Sequence, residues 1–271
     1  MAAFFIREVV WQLVGARTWR ARQVLCDTCE PDLSERAPHV APLQKKALSS
    51  WDSAFFYPLE ASIIRYHIIM EGITMDEREW EQLLHIKTAG RDDSHSDGEH
   101  HPYEPTDYGV LERLANSGYI GKKDTLIDYG SGKGRGSFFL AYQTRCQAIG
   151  VEYDRRLWEK ALANGQTAAS RRRVTFVLAD AVEYEVPPEG TCFFFFNPFA
   201  LHTLKRVLGK LFDAHYQAPR PMRLFFYYPY EETEAFLTHH PNLVVEDVID
   251  CRDLFDEDDD REKILVLRLH D

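Results

Sequence analysis

Long apolar runs, cysteines and positive charge are all scarce in this 271-residue sequence. No window of about 20 apolar residues occurs, so no segment is expected to span a membrane. The five cysteines are odd in number and scattered, which does not fit a disulfide framework and favours a reducing, cytoplasmic setting. Lys and Arg number 32 against 43 Asp and Glu, a net charge of −11, which disfavours nucleic-acid binding because that binding depends on neutralising phosphates.

The chain changes character near residue 100. Before that point, apolar residues recur at helical spacing within residues 5–14, 55–67 and 80–84. Asp76 marks the start of the last of these helices, and the polar run at 91–101 predicts a loop. We therefore divide the chain into a helical subdomain at residues 1–100 and a second domain at residues 101–271.

Short apolar runs alternate with helical runs in the second domain. The apolar runs occupy residues 125–129, 148–153, 174–179, 192–196, 224–228, 243–249 and 264–269. The first five are predominantly apolar and are interpreted as fully buried strands, as is typical of parallel strands covered on both faces. The last two are joined by an acidic stretch too short for a crossover helix, which predicts an antiparallel pair. The sequence thus predicts an α/β fold with a doubly wound, mostly parallel seven-stranded sheet and an antiparallel last strand, plus the N-terminal helical subdomain.

The segment LIDYGSGKGRG, at residues 126–136, joins a buried strand to a helix through closely spaced glycines. Glycine lets the backbone approach a ligand, and ligands of open α/β sheets bind at the carboxyl ends of strands. The dinucleotide-binding spacing G-x-G-x-x-G fails in both frames, because Arg135 and Ser137 stand where the third glycine belongs. Asp128, just before the loop, suits a ligand that carries an ammonium group. A glycine-rich turn without a ligand is the alternative.

Acidic residues also end the next two predicted strands. Glu152 could accept hydrogen bonds from both hydroxyls of a ribose, and Asp154 is a weaker candidate for the same role. Asp180, followed by Ala181, could accept a hydrogen bond from the exocyclic amine of adenine. The alternatives are a solvated strand end for Glu152 and a helix cap for Asp180.

The fourth predicted strand ends in the segment FFFFNPF. Asn197 offers one acceptor and two donors, Pro198 leaves neighbouring carbonyls free, and Phe199 could stack on a flat acceptor. The alternative is a tight turn with a core phenylalanine. Three tyrosines at the end of the fifth strand would either wall the acceptor pocket or pack in the core: Tyr227, Tyr228 and Tyr230.

Three polar clusters have simpler explanations than a binding site. The pair Cys26 and Cys29 lacks the two further ligands of a zinc site. The basic triplet at residues 171–173 follows a helix, where the helix dipole accounts for positive charge. The histidines of the 91–101 loop indicate a polar lid rather than a metal site.

From about residue 103 to residue 269, these motifs resemble those of the class I S-adenosylmethionine-dependent methyltransferases. The glycine loop with its acidic strand end is similar to that family's first motif. Asn197-Pro198-Phe199 is similar to the Asn/Asp-Pro-aromatic motif of its amine- and amide-methylating members. The resemblance implies S-adenosylmethionine as cofactor, S-adenosylhomocysteine as product, and no metal. It implies cofactor contacts from Thr106, Tyr108, Asp128, Gly130, Ser131, Gly132, Gly134, Glu152, Tyr153, Asp180, Ala181 and Asn197.

The reaction implied by the resemblance is an in-line displacement of the methyl group by an acceptor, with Asn197, Pro198 and Phe199 as catalytic residues. Residues 1–100 would help to select the acceptor. The aromatic pocket mouth and the acidic charge favour a small molecule or a protein over nucleic acid. A nitrogen acceptor stays open, because only one proline precedes the aromatic residue. Three residues are candidate general bases, none of them assigned: Asp107, His202 and Glu231.

Because fold alone does not set function, two other activities stay open. One is a nucleotide-binding oxidoreductase, which the glycine spacing disfavours. The other is a non-catalytic scaffold that binds S-adenosylmethionine.

Overall fold

The computed structural model describes residues 75–94 and 102–270. The predicted helices at 5–14 and 55–67 and the Cys26–Cys29 pair lie outside the described residues, as do the three histidines of the 91–101 loop. Within the described part of the chain, no helix is long and apolar enough to cross a membrane.

Seven strands form a single mixed sheet. They are β1 (Thr125–Tyr129), β2 (Gln147–Glu152), β3 (Val174–Leu178), β4 (Cys192–Phe196), β5 (Arg223–Tyr227), β6 (Leu243–Asp250) and β7 (Lys263–Leu269). Their order across the sheet is β3-β2-β1-β4-β5-β7-β6. The first five strands are parallel, and β7 runs antiparallel between β5 and β6. The predicted sheet and its antiparallel last strand are therefore confirmed.

Helices cover both faces of this sheet. The described helices are α1 (Glu77–Leu84), α2 (Tyr108–Asn116), α3 (Arg135–Thr144), α4 (Arg155–Thr167), α5 (Leu201–Gln217) and α6 (Glu231–Thr238), and a short 3-10 helix spans Arg252–Leu254. Two separate apolar clusters result, one on each side of the sheet. This explains why the central strands are predominantly apolar, since each buries side chains on both faces.

Aromatic residues fill one of the two clusters. The ring of Phe195 on β4 lies between Tyr129 on β1 and Phe226 on β5, with centroid separations of 5.0 and 4.5 Å and nearly parallel planes. Each such aromatic pair adds about 0.5–1.5 kcal/mol beyond the burial of its area. The stacked rings thus fix β4 between its neighbours, at the strand that leads into Asn197.

The helix α1 confirms the predicted start at Asp76. The Asp76 side chain accepts a hydrogen bond from the Glu79 amide, and the Glu79 carboxylate accepts one from the Asp76 amide, which completes a capping box. Trp80 is buried against Phe139 of α3 and Tyr108 of α2. The helix precedes residue 100, yet it packs in the same apolar cluster as the sheet.

Two short helices of the described chain are not in the sequence prediction. Asp107 caps α2, since its carboxylate accepts the Gly109 amide at 2.7 Å. The first turn of α6 carries Glu231, Glu232 and Glu234, which the positive end of the helix dipole stabilises. Both helices are short, with nine residues in α2 and eight in α6.

Candidate functional site

A cleft lies at the carboxyl ends of β1, β2 and β4, with about 1000 Å³ of empty space including its open mouth. This is the position at which open α/β sheets bind ligands. We call it the first cleft. Eleven residues predicted for the site line it: Thr106, Asp128, Gly130, Ser131, Glu152, Tyr153, Asp180, Ala181, Asn197, Pro198 and Phe199.

The other three predicted residues lie behind the wall of the first cleft. Gly132 and Gly134 contact aromatic rings, and Tyr108 is buried in the core between Trp80 and Phe139. Tyr108 therefore does not line the first cleft. Thr106, two residues earlier and 6% exposed, lines it instead. Helix α2 begins at Tyr108 and directs its first turn into the core, which explains this difference.

The glycine loop leaves β1 in a conformation that side chains disfavour. Gly130 and Gly132 have φ angles of 75° and 56°. A Cβ atom on Gly130 would lie 2.6 Å from Cβ of Pro198, and one on Gly132 would lie 2.2 Å from the ring of Tyr103. Glycine is therefore required by both the dihedral angles and the close approach. The loop is fixed to β2, because the Gly130 and Ser131 amides both donate to the carbonyl of Val151.

Asp128 provides a buried carboxylate at the base of the first cleft. It is 4% exposed and accepts a hydrogen bond of 2.6 Å from the hydroxyl of Ser137. Burial raises the pKa of Asp128 to about 6, although the hydrogen bonds from Ser137 oppose the shift. A positively charged ligand group beside it would offset this burial. Ser131, also on the wall, has a buried hydroxyl without a hydrogen-bond partner in the described structure.

Glu152 is the second buried acid of the first cleft. Its two carboxylate oxygens accept the amides of Gly132 and Asp154, at 2.8 and 2.9 Å. Burial raises the pKa of Glu152, and these backbone hydrogen bonds oppose the rise. Each carboxylate oxygen has a further lone pair, so Glu152 can hold the glycine loop and still accept hydrogen bonds from a ligand. Asp154 instead caps α4 and pairs with Arg156 at 2.7 Å.

Asp180 follows β3 at the exposed rim of the first cleft. Its carboxylate accepts the amide of Val182 at 2.8 Å, which stabilises a turn; no described helix begins there, so the helix cap weighed from the sequence is not what Asp180 forms. Its other carboxylate oxygen has no hydrogen bond to the described residues, and the residue is exposed. A turn-forming role and a ligand contact are therefore compatible at Asp180.

Asn197 follows β4 with a φ angle of 43°, in the left-handed region. Asn tolerates this region better than most residues, and such strain is concentrated at functional sites. The next residue, Pro198, contacts Gly130, so the end of β4 and the glycine loop form adjoining walls. Phe199 is 7% exposed and packs edge-on to Phe195, so its ring belongs to the core as well as to the cleft wall.

Two buried cations behind the glycine loop are not in the sequence prediction. The ammonium of Lys133 donates to the carbonyls of Ala89 and Gly90, at 2.7 and 3.0 Å, and burial lowers its pKa. The guanidinium of Arg135 donates to the hydroxyl of Thr88 at 2.7 Å and pairs with Glu77 at 2.5 Å. The only signal in the sequence is the pair of cations in GKGRG, and their partners lie more than 40 residues upstream.

A second cleft adjoins the first at Asn197 and Phe196, with about 1110 Å³ of empty space including its mouth. The three tyrosines predicted for an acceptor pocket line it: Tyr227, Tyr228 and Tyr230. The hydroxyl of Tyr227 donates to Glu262 at 2.5 Å, and burial raises the pKa of Glu262. The hydroxyl of Tyr228 donates to Asp259 at 2.7 Å. Of the three candidate bases, Asp107 lines this cleft, whereas His202 and Glu231 line neither cleft.

Comparison with protein-family models and with curated proteins finds no match for this chain. Solved structures that resemble it include an RNA methyltransferase from Salinibacter ruber in complex with S-adenosyl-L-homocysteine. That likeness has 21% identity, covers 61% of this chain and 92% of the other, and has a TM-score of 0.43. The 23S rRNA methyltransferase ErmE gives 18% identity, coverage of 62% and 69%, and a TM-score of 0.42. Precorrin-6y C5,15-methyltransferase from Geobacter metallireducens has 14% identity, the likeness covers 68% of this chain and 98% of the other, and the TM-score is 0.46.

The fold is that of the class I methyltransferases. The insertion of an antiparallel β7 between β5 and β6 distinguishes this sheet from a plain dinucleotide-binding one. The preference for a small molecule or a protein over nucleic acid is wrong, because RNA methyltransferases are among the similar structures. Its physical weakness is that the net charge of −11 sums over the chain and does not describe any local surface.

Proposed function

We propose that this protein is an S-adenosylmethionine-dependent methyltransferase. The main support is the first cleft, which sets two buried carboxylates, Asp128 and Glu152, beside a glycine loop at the carboxyl end of the sheet. The buried hydroxyl of Ser131, without a hydrogen-bond partner among the described residues, adds a polar group for a ligand to satisfy. This donor set fits a ligand with an ammonium group at one end and ribose hydroxyls further along.

The residues of the first cleft would divide the cofactor among them. Asp128 would face the ammonium group of the methionine part, close to Ser131 and Thr106. Glu152 would accept from the ribose hydroxyls through the lone pairs that its backbone contacts leave available. Asp180 would accept from the exocyclic amine of adenine, with Tyr153 and Ala181 on either side. The cofactor would supply an electrophilic methyl group, already activated by its sulfonium charge.

Asn197 would align the acceptor with that methyl group. It lines both clefts, so a molecule in the second cleft would meet the first at this residue. Its side chain offers an acceptor and two donors, which suits an acceptor nitrogen that carries hydrogen. Alignment is the main contribution that a displacement of this kind needs from the protein. Pro198 and Phe199 would hold Asn197 in its left-handed conformation.

Isothermal titration of the full chain with S-adenosylmethionine, S-adenosylhomocysteine and NAD tests the cofactor. We expect micromolar affinity for the first two and no heat from NAD. Binding of NAD alone would assign the protein to the oxidoreductases and refute the proposal. A titration in which none of the three ligands binds would also contradict the proposal.

A second experiment separates the enzyme from a scaffold. A methyl-labelled donor is incubated with the chain and a fractionated cell extract that keeps RNA, protein and small molecules apart. We expect label in one fraction, lost in Asn197→Ala and kept in the control Asn116→Ala, which changes an exposed residue at the end of α2. Cofactor binding with no labelled fraction would favour the non-catalytic scaffold.

A further inference from the structure

A cluster of positive charge lies at the amino ends of the parallel strands, on the side of the sheet away from the two clefts. Six cations stand in the turns that lead into β1, β2 and β3: Lys122, Lys123, Arg145, Arg171, Arg172 and Arg173. Five of them are exposed and Arg173 is half-buried. None has an ion pair with an acid in the part of the chain that the structure describes. We call this cluster the basic edge.

The three turns of the basic edge lie side by side. The amide of Gln147 donates to the carbonyl of Asp124 at 3.0 Å, and the amide of Ala148 donates to the carbonyl of Arg173 at 2.8 Å. These bonds join the entry of β2 to the entries of β1 and β3. Neighbouring strands are about 4.8 Å apart, so the three turns span roughly 10 Å.

Negative charge does not balance this cluster locally. Asp124 is the acid within the three turns, and its carboxylate already accepts the Gly121 amide at 2.8 Å and the Thr191 hydroxyl at 2.9 Å. Six cations and one acid, 6 − 1, leave a local charge of +5 in a chain whose net charge is −11. Like charges held together destabilise a fold by mutual repulsion, and a polyanion at this edge would relieve it.

The helix dipole does not account for the whole cluster. Helix α4 ends at Thr167, and the triplet at 171–173 begins more than one residue past the C-cap Ala168. The dipole acts within the last turn of a helix, so it favours Arg145, directly after α3, more than the triplet. The helix dipole therefore explains the position of Arg145 but not the positions of the other five cations of the basic edge.

Apolar anchors are missing from the basic edge. The large apolar residues that are exposed in the described structure all lie elsewhere: Tyr153, Leu162, Tyr216, Tyr230, Val245, Val248 and Leu254. Without apolar side chains the basic edge would attract a lipid surface only by charge, and it lacks the apolar centre that is typical of a stable protein interface. Charge without apolar anchors is instead the pattern of contact with nucleic-acid phosphates, which needs no base contact.

We propose that the basic edge binds the phosphate backbone of nucleic acid, without sequence preference. The surface lies on the opposite edge of the sheet from Asn197, so this binding anchors a strand and does not depend on the proposed methyl transfer. Lys and Arg contacts to phosphates release counterions, which makes such binding strongly dependent on salt.

Fluorescence anisotropy of a labelled 20-nucleotide polyuridylate with the full chain tests the proposal. With about four to six phosphate contacts, the affinity should fall roughly 100-fold between 50 and 200 mM salt. Replacing the triplet at 171–173 by glutamines should weaken binding at least tenfold at about 50 mM salt and flatten the salt dependence by about two phosphate contacts. The matched control replaces three cations of α5 by glutamines and changes the net charge equally: Lys205→Gln, Arg206→Gln and Lys210→Gln.

The control should keep wild-type affinity within about twofold, and both variants should keep the wild-type melting temperature and cofactor titration. If the triplet variant does not fold, glutamines at Lys122, Lys123 and Arg145 take its place. Equal weakening in the control would mean that net charge alone acts, and it would overturn the proposal. So would absence of polyuridylate binding at low salt, or binding to phosphatidylserine vesicles in place of RNA.

Discussion

Asp128 gives the sharpest test of the site, because its burial has a measurable effect on stability even without a ligand. Its pKa is raised to about 6 in the folded protein, whereas a carboxyl in an unfolded chain titrates near 4. The folded state therefore binds more protons between these two values, and the free energy of unfolding falls as the pH rises through that window. A shift of about two units corresponds to about 3 kcal/mol.

The substitution Asp128→Asn removes this ionisation at constant shape. Its amide oxygen can still accept the hydroxyl of Ser137, so we expect unfolding at pH 7 to cost up to about 3 kcal/mol more, a rise in Tm of about 5 °C. Near pH 4 both side chains are neutral and the difference should vanish. Circular dichroism melts at the two pH values measure this, with Asp213→Asn, an exposed position of α5, as the control that should not change.

The same side chain should make cofactor binding depend on pH. An ammonium group beside Asp128 favours the carboxylate, so binding must release a proton when the pH is below about 6. We expect affinity for S-adenosylmethionine to fall about tenfold between pH 7 and pH 5 in the wild type. In Asp128→Asn, affinity should be low at both pH values. A variant that is no more stable than the wild type at pH 7, or that keeps the pH dependence, would refute the reasoning.

Three further substitutions test other parts of the site and fold. Glu152→Ala should weaken cofactor binding by about 1–3 kcal/mol by titration, against an exposed control Glu183→Ala, and unchanged affinity would remove Glu152 from the site. Asn197→Ala should lower kcat by more than it weakens cofactor binding, and the reverse pattern would assign Asn197 to the cofactor. Trp80→Ala should lower the unfolding free energy by about 3–5 kcal/mol in urea melts, because it opens a cavity between α1, α2 and α3. A loss below about 1 kcal/mol would mean that α1 contributes little to the core.

The sheet could be predicted from the sequence because its strands bury both faces. The predicted bounds of β1 and β4 equal those of the structure, Thr125–Tyr129 and Cys192–Phe196, since turn residues flank predominantly apolar runs. Helices α2 and α6 are not in the sequence prediction, and both are short, with nine and eight residues. Helix α4 ends at Thr167, where the chain turns toward β3.

The first cleft could be predicted because parallel strands bring their carboxyl ends together. That rule alone places Asp128, Glu152, Asp180 and Asn197 around one space, although 69 residues of sequence separate the first from the last. The position of Tyr108 could not be predicted, because it depends on where α2 begins. Nor could the partners of the two buried cations, which no local pattern connects to the glycine loop.

Arg135 links the glycine loop to the part of the chain that precedes residue 95. Its guanidinium is 4% exposed, and its partners Glu77 and Thr88 precede it by 58 and 47 positions. Removing that stretch by proteolysis or gene fusion would take away both the carboxylate that pairs with the guanidinium and the chain that covers it, so the glycine loop would lose this support. In related chains, recombination is therefore expected to keep these two parts together. Positions 77 and 135 are expected to vary as a pair. The position of the glycine loop is thus set in part by chain that precedes it by more than 40 residues.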